Sequence, residues 1–127
     1  MKSKMRFFGS LFMTLAIVLG ALSSHYFKRI LSPESLNSFE VGLRYLIYQG
    51  LGMLFLSGFE FPNSKTKKIV FRLILWGTVI FSGSIFILSF KNQIPFSICW
   101  FGPITPLGGL TLFVAWTLTT LMFMNRE

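Results

Sequence analysis

The chain has 127 residues, of which 53% are hydrophobic, 17% aromatic and only 13% charged, so it carries more apolar surface than one soluble core of this size can bury. Its formal charge of +8 sits at the ends of apolar runs, without the basic face or aromatic interleaving of a nucleic-acid surface, and points to membrane topology and lipid headgroups instead. The single cysteine, Cys99, excludes an internal disulfide, and with no second cysteine and no histidine near it, it offers neither a metal site nor a catalytic pair. Charges gather at residues 2–6, 28–44 and 65–72 and at the C-terminus, and long uncharged runs separate them. That pattern predicts one domain over residues 1–127, an all-α bundle of four transmembrane helices.

Residues 7–23, preceded by Lys2, Lys4 and Arg6, form the first expected span. The same layout matches a cleavable signal peptide, but the apolar core exceeds the usual length of about 7–15 residues, which favours retention. Gly9, Ala16 and Gly20 would let another helix approach closely. Residues 24–31 are expected to be a short connection at the membrane interface, where Tyr26 and Phe27 suit headgroup depth and Lys28 and Arg29 suit phosphates.

Ser32 and Pro33 then open a long helix, because serine caps well and proline fits the first turn, where its missing N–H has no partner anyway. The second span occupies residues 41–59 of it. At 100° per residue, Glu40, Arg44, Tyr48, Gly52, Tyr45 and Gln49 share one half of the wheel, within about 180° of each other. Residues 61–64 break the helix, and Lys65, Lys67 and Lys68 make the most basic loop. A third span covers residues 69–90, with Arg72 near enough to its start to snorkel and Gly77, Ser82, Gly83 and Ser84 as a small-residue contact patch. Ser82 and Ser84 could line a pore, but helix contact is the plainer role. Residues 91–104, with Pro95, Pro103, Phe96, Trp100 and Phe101, make an aromatic interfacial loop. Thr105 is placed to cap and Pro106 to open the fourth span, residues 106–123.

The positive-inside rule orients these spans. An N-terminus inside collects Lys2, Lys4, Arg6, Lys65, Lys67, Lys68, Arg72 and Arg126 on the inner ends, against Lys28, Arg29, Arg44 and Lys91 outside. Both termini are expected on the cytoplasmic side of the inner membrane.

Several of these stretches together resemble the YgdD/YwdK family of small four-helix membrane proteins, which carries a domain-of-unknown-function label. The residues are Gly20-Ala21 followed by His25; Leu31-Ser32-Pro33-Glu34; Phe39-Glu40, Gly42, Arg44-Tyr45 and Tyr48; Phe81-Ser82-Gly83-Ser84; and Gly102, then Ile104 through Leu110, with Trp116 beyond. The chain departs from the family pattern at Gln49, where a histidine is common, and at Ser23 and Ser24, where smaller residues stand. If that histidine served proton or metal chemistry, this chain lacks it. The resemblance implies the four-helix fold and a membrane location, and implies no established activity.

Two readings compete for the polar residues. In one, Glu40 and Arg44, four apart in the favourable order, form a clamp while Tyr45, Tyr48 and Gln49 hydrogen-bond across helices. In the other, these residues and His25 line an outward-facing pocket for an ion, headgroup or small solute. Thr105, Pro106, Gly108 and Gly109 could form a broken-helix anion site, though a helix start with close packing is the plainer account. No nucleophile and base pair, nucleotide loop, metal set or cofactor motif is visible, and enzyme classes are poorly supported. The leading expectation is a non-enzymatic membrane protein that packs with itself or serves as an accessory subunit of a larger membrane complex. The alternative is a transporter or channel for a proton, ion or small solute.

Overall fold

The structure is a computed structural model that describes residues 1–126, with Cys99 described by its backbone alone. Those residues hold four long helices, a short 3-10 turn at Cys99–Phe101 and connecting loops, with no strand among them. Helix α1 runs Lys2–Ile30, α2 Pro33–Ser57, α3 Ser64–Ser89 and α4 Ile104–Met124. In sequence order each helix packs against the next, α1 on α2, α2 on α3 and α3 on α4.

The first helix does not stop where an interfacial connection was expected. It continues through a π-helical turn, Ser23–Phe27, and only Leu31 and Ser32 separate it from α2. The wider turn absorbs residues that would otherwise rotate off their face. It sets Phe27 against Phe39 and Phe90, with ring centroids 5.3 and 5.0 Å apart. The start of α2 follows its local chemistry: the Ser32 side chain accepts from the Ser35 N–H at 3.2 Å and Pro33 stands in the first turn. Asn63 caps α3 in the same way by accepting from Lys65 N–H at 2.8 Å. Thr105 and Pro106 do not open α4. The helix begins two residues earlier, at Ile104 with Pro103 before it, and the Thr105 hydroxyl is engaged instead with Ser84 of α3, 2.7 Å away.

The core lies where α1, α2 and α3 meet. Met5, Met53, Leu56, Val70 and Ile74 are wholly buried there, with Phe12, Ala16, Leu46, Phe71 and Ala115 around them. Gly9 and Gly50 face each other across α1 and α2, so a Cβ on Gly9 would stand 2.9 Å from the Gly50 carbonyl. Gly108 of α4 lies so near α3 that a Cβ there would meet the Phe81 backbone nitrogen at 2.5 Å. Gly20 and Gly83, also small residues on these helices, have open space around them.

Polar groups are matched to a surrounding without water. The hydroxyls of Thr78, Ser89 and Thr119 donate to carbonyls of their own helices, the usual way for Ser and Thr to satisfy themselves in a helix. Ser82 reaches across to the Gly42 carbonyl at 2.9 Å, so Ser82 and Ser84 are both helix contacts. Among the described residues no buried side-chain nitrogen or oxygen lacks a partner.

Three helices, Lys2–Ile30, Ser64–Ser89 and Ile104–Met124, are long and apolar enough to cross a membrane. Helix α2 is long enough, about 37 Å for its 25 residues, but it carries Glu34, Asn37, Glu40, Arg44 and Gln49.

Candidate functional site

A cleft of about 490 Å³ opens sideways between α2 and α4, over α3. Tyr45 and Gln49 contribute from α2, Phe81 from α3, and Gly109, Phe113, Trp116, Thr117 and Thr120 among others from α4. Helical spacing explains the grouping: Tyr45 and Gln49 are one turn apart, as are Phe113, Trp116 and Thr120. The Trp116 indole N–H donates to the Gln49 side-chain oxygen at 2.8 Å, tying α2 to α4 across 67 residues of sequence. Gly52 makes room for that indole, since a Cβ there would stand 2.6 Å from the ring. Tyr45 packs on Phe81 with centroids 4.7 Å apart, and both rings line the cleft.

The expected polar cluster is only partly assembled. Tyr45 and Gln49 share the cleft, and Gln49 bonds across helices as expected; no hydrogen bond joins the Tyr45 or Tyr48 hydroxyl to another helix among the described residues. Tyr48 packs edge-on to Tyr45 at 5.8 Å and is 56% exposed. Glu40 and Arg44 do not form the clamp. Both side chains are exposed, and the ion pair found among the described residues joins Lys2 and Glu60 at 3.7 Å. Four-residue spacing permits a pair but does not enforce one, because two long side chains lose rotamer freedom to meet. His25 is likewise exposed, within the π turn at the end of α1, and lies outside the cleft walls.

The helix-start residues divide. Gly108 is the α3–α4 contact, Gly109 borders the cleft and Pro106 is exposed. Trp116 and Phe81 are the cleft residues that reasoning about polar side chains passed over. Trp116 could have been paired with Gly52, since an indole and a small residue at matching depth suggest a ring lying on a helix. Among the described residues no three of His, Cys, Asp and Glu come together in a metal-sized group; the side chain of Cys99 lies outside the described set.

At the opposite end, Lys67 is 7% exposed, donates to the Phe59 carbonyl at 2.9 Å and stands 5.2 Å from the centre of the Phe61 ring. It closes the α2–α3 loop beside the exposed Lys65 and Lys68. A smaller polar nook of about 170 Å³ at the other end involves Glu34, Ser35, Ser38, Ser89 and Lys91.

Long apolar helices, self-satisfied hydroxyls and lipid-grade outer faces define a helical membrane protein. Residues 19–109 match the family model described as "Protein of unknown function (DUF423)", and the chain belongs to that family. It is 33% identical over 108 residues to UPF0382 membrane protein SSP2132 of Staphylococcus saprophyticus, covering 85% of this chain and 86% of that one. It is 30% identical over 110 residues to UPF0382 membrane protein YwdK of Bacillus subtilis, covering 85% of each. A fission-yeast UPF0382 membrane protein, from Schizosaccharomyces pombe, is 30% identical over 103 residues, covering 80% of this chain and 86% of that one. No solved structure matches the chain.

Proposed function

We propose that this is a four-span protein of the cytoplasmic (inner) membrane, with both termini in the cytoplasm, that acts without enzymatic chemistry as a structural or accessory subunit of a membrane assembly. The observation that carries this reading is how the interhelical polar groups are used. Packed side chains fill the core where α1, α2 and α3 meet, and the Ser82–Gly42, Ser84–Thr105 and Trp116–Gln49 contacts use polar groups between helices for cohesion, leaving the cleft between α2 and α4 as a lateral opening. What is left over faces outward: Phe7, Ile17, Phe55, Trp76, Leu107 and Phe113 are each about half or more exposed, a surface suited to lipid or to neighbouring helices. Helix α2 would cross with its charged first half near the outer interface, Glu40 and Arg44 reaching headgroups.

The transporter or channel reading has less support, because His25, Glu40 and Arg44 stand on the outside of the bundle and line no common passage. Extraction of the tagged protein from native membranes into nanodiscs, followed by native mass spectrometry, tests the proposal. Recovery with a larger assembly, or as a stable homo-oligomer, is the expected result. A strictly monomeric protein with no crosslinked partner, together with vesicle flux that depends on Glu40 or Arg44, would replace it with the transporter.

A further inference from the structure

Trp116 settles which way the Gln49 amide points. An indole N–H can only donate, so the group it meets at 2.8 Å is the amide oxygen, and the amide NH₂ is turned away from it. Gln49 is 6% exposed and its NH₂ makes no hydrogen bond within the described residues. No sealed side-chain polar atom lacks a partner there, so this NH₂ opens onto the cleft that Gln49 lines. A carboxamide donor without an acceptor is costly in hydrocarbon, where no water can serve it.

Depth restricts what can serve it instead. Gln49 lies eight residues from the end of α2 at Ser57 and Trp116 eight from the end of α4 at Met124, about 12 Å along each axis. Trp116 is twelve residues, about 18 Å, from the other end of α4. In a hydrocarbon core about 30 Å thick, that is near mid-depth. Lipid phosphates and glycerol-ester carbonyls reside at the interfaces and do not reach it. A molecule dissolved in the bilayer interior can bring an acceptor to that depth. Tyr45, Phe81, Phe113 and Trp116 supply aromatic walls, which favour a flat conjugated body over a saturated chain. The volume of about 490 Å³ is that of a small-molecule site, and the exposed rim residues Phe113 and Thr117 leave a lateral entrance from lipid.

We propose that this cleft binds a bilayer-dissolved, planar carbonyl compound of the quinone class, with a carbonyl oxygen accepting from the Gln49 NH₂. The site rests on the four-span placement proposed above but not on the accessory role, and either the role or the site can fail without the other. The test uses full-length protein in nanodiscs carrying Trp76→Phe and Trp100→Phe, exposed positions whose replacement leaves Trp116 as the one reporter of the three tryptophans. A decyl-substituted benzoquinone is titrated against Trp116 fluorescence, with decylbenzene, which has no carbonyl, as competitor. Saturable quenching is expected, weakened about tenfold or more by Gln49→Leu, the loss of one hydrogen bond in a dry site. Thr117→Phe, which fills the entrance without touching the Gln49–Trp116 bond, should abolish saturation, and it decides the matter if the Gln49 variant does not fold. Quenching that rises linearly with quinone in the membrane, that survives Thr117→Phe, or that decylbenzene displaces equally well overturns the proposal.

Discussion

Arg44 and Glu40 show how far a residue pair can be inferred from spacing. Four apart on a helix, they are within reach, yet both stay exposed and unjoined. Single substitutions Glu40→Gln and Arg44→Leu should therefore change thermal stability in detergent by amounts that add in the double mutant to within about 0.5 kcal/mol. Recovery of stability in the double mutant would show that the pair forms after all. Close packing gives a sharper residue-level prediction. Gly108→Ala forces a methyl against the Phe81 backbone, which cannot move aside as a flexible side chain can, and should cost about 1–3 kcal/mol in unfolding titrations. Gly83→Ala, with open space around it, should leave stability unchanged or slightly raised. Equal losses at both glycines would mean that α3 and α4 do not approach as closely as the structure has them.

At the scale of the element, the π turn of α1 is the feature that hydropathy does not announce. A π turn holds one residue more than the regular helix would need to keep both flanking faces in register. Deleting Ser24, an exposed residue inside it, should convert the turn to α-helix and leave Phe27 packed on Phe39 and Phe90. Deleting Val18 from the regular part of the same helix should rotate everything beyond it by about 100°, pulling Phe27 off its partners. Detergent melting curves of the two deletions distinguish these outcomes: near-native for the first and a strong loss for the second. The start of α2, by contrast, was readable. Ser32 followed by Pro33 is a local signal, and the structure uses it as local chemistry dictates. Thr105 followed by Pro106 carried the same signal and was not used. Ser84 on the neighbouring helix competes for the threonine hydroxyl, a partner 21 residues away that no local pattern reveals.

For the whole molecule, the arrangement of charge makes the clearest prediction. The ends of α1 and α3 that carry Lys2, Lys4, Arg6, Lys65, Lys67 and Lys68 lie together at one end of the bundle, bridged by Lys2 and Glu60. In a Cys99→Ser background, a single cysteine at Ser64 should react with a membrane-impermeant maleimide only after cells are opened, and one at Asn92 should react in intact cells. The reverse labelling would invert the proposed topology. Replacing Lys65 and Lys68 with glutamine, leaving the packed Lys67 alone, should raise the fraction of inverted molecules, since cytoplasmic positive charge sets orientation.

The helical class, the membrane character, the break near residues 61–64 and the aromatic loop before the last helix were determined by the sequence alone. These follow from local hydropathy, capping and proline, and each is complete within a few turns of chain. Which polar side chains meet was decided only by tertiary structure. Gln49 and Trp116 are 67 residues apart, Gly42 and Ser82 are 40 apart, and whether they face each other depends on the rotation and offset of whole helices. A shift of one residue turns a helix face by about 100°, more than enough to exchange a buried glutamine for an exposed arginine. The cleft beside Trp116 exists because Gly52 and Gly108 let three helices settle at particular distances, and that geometry is a property of their packing together.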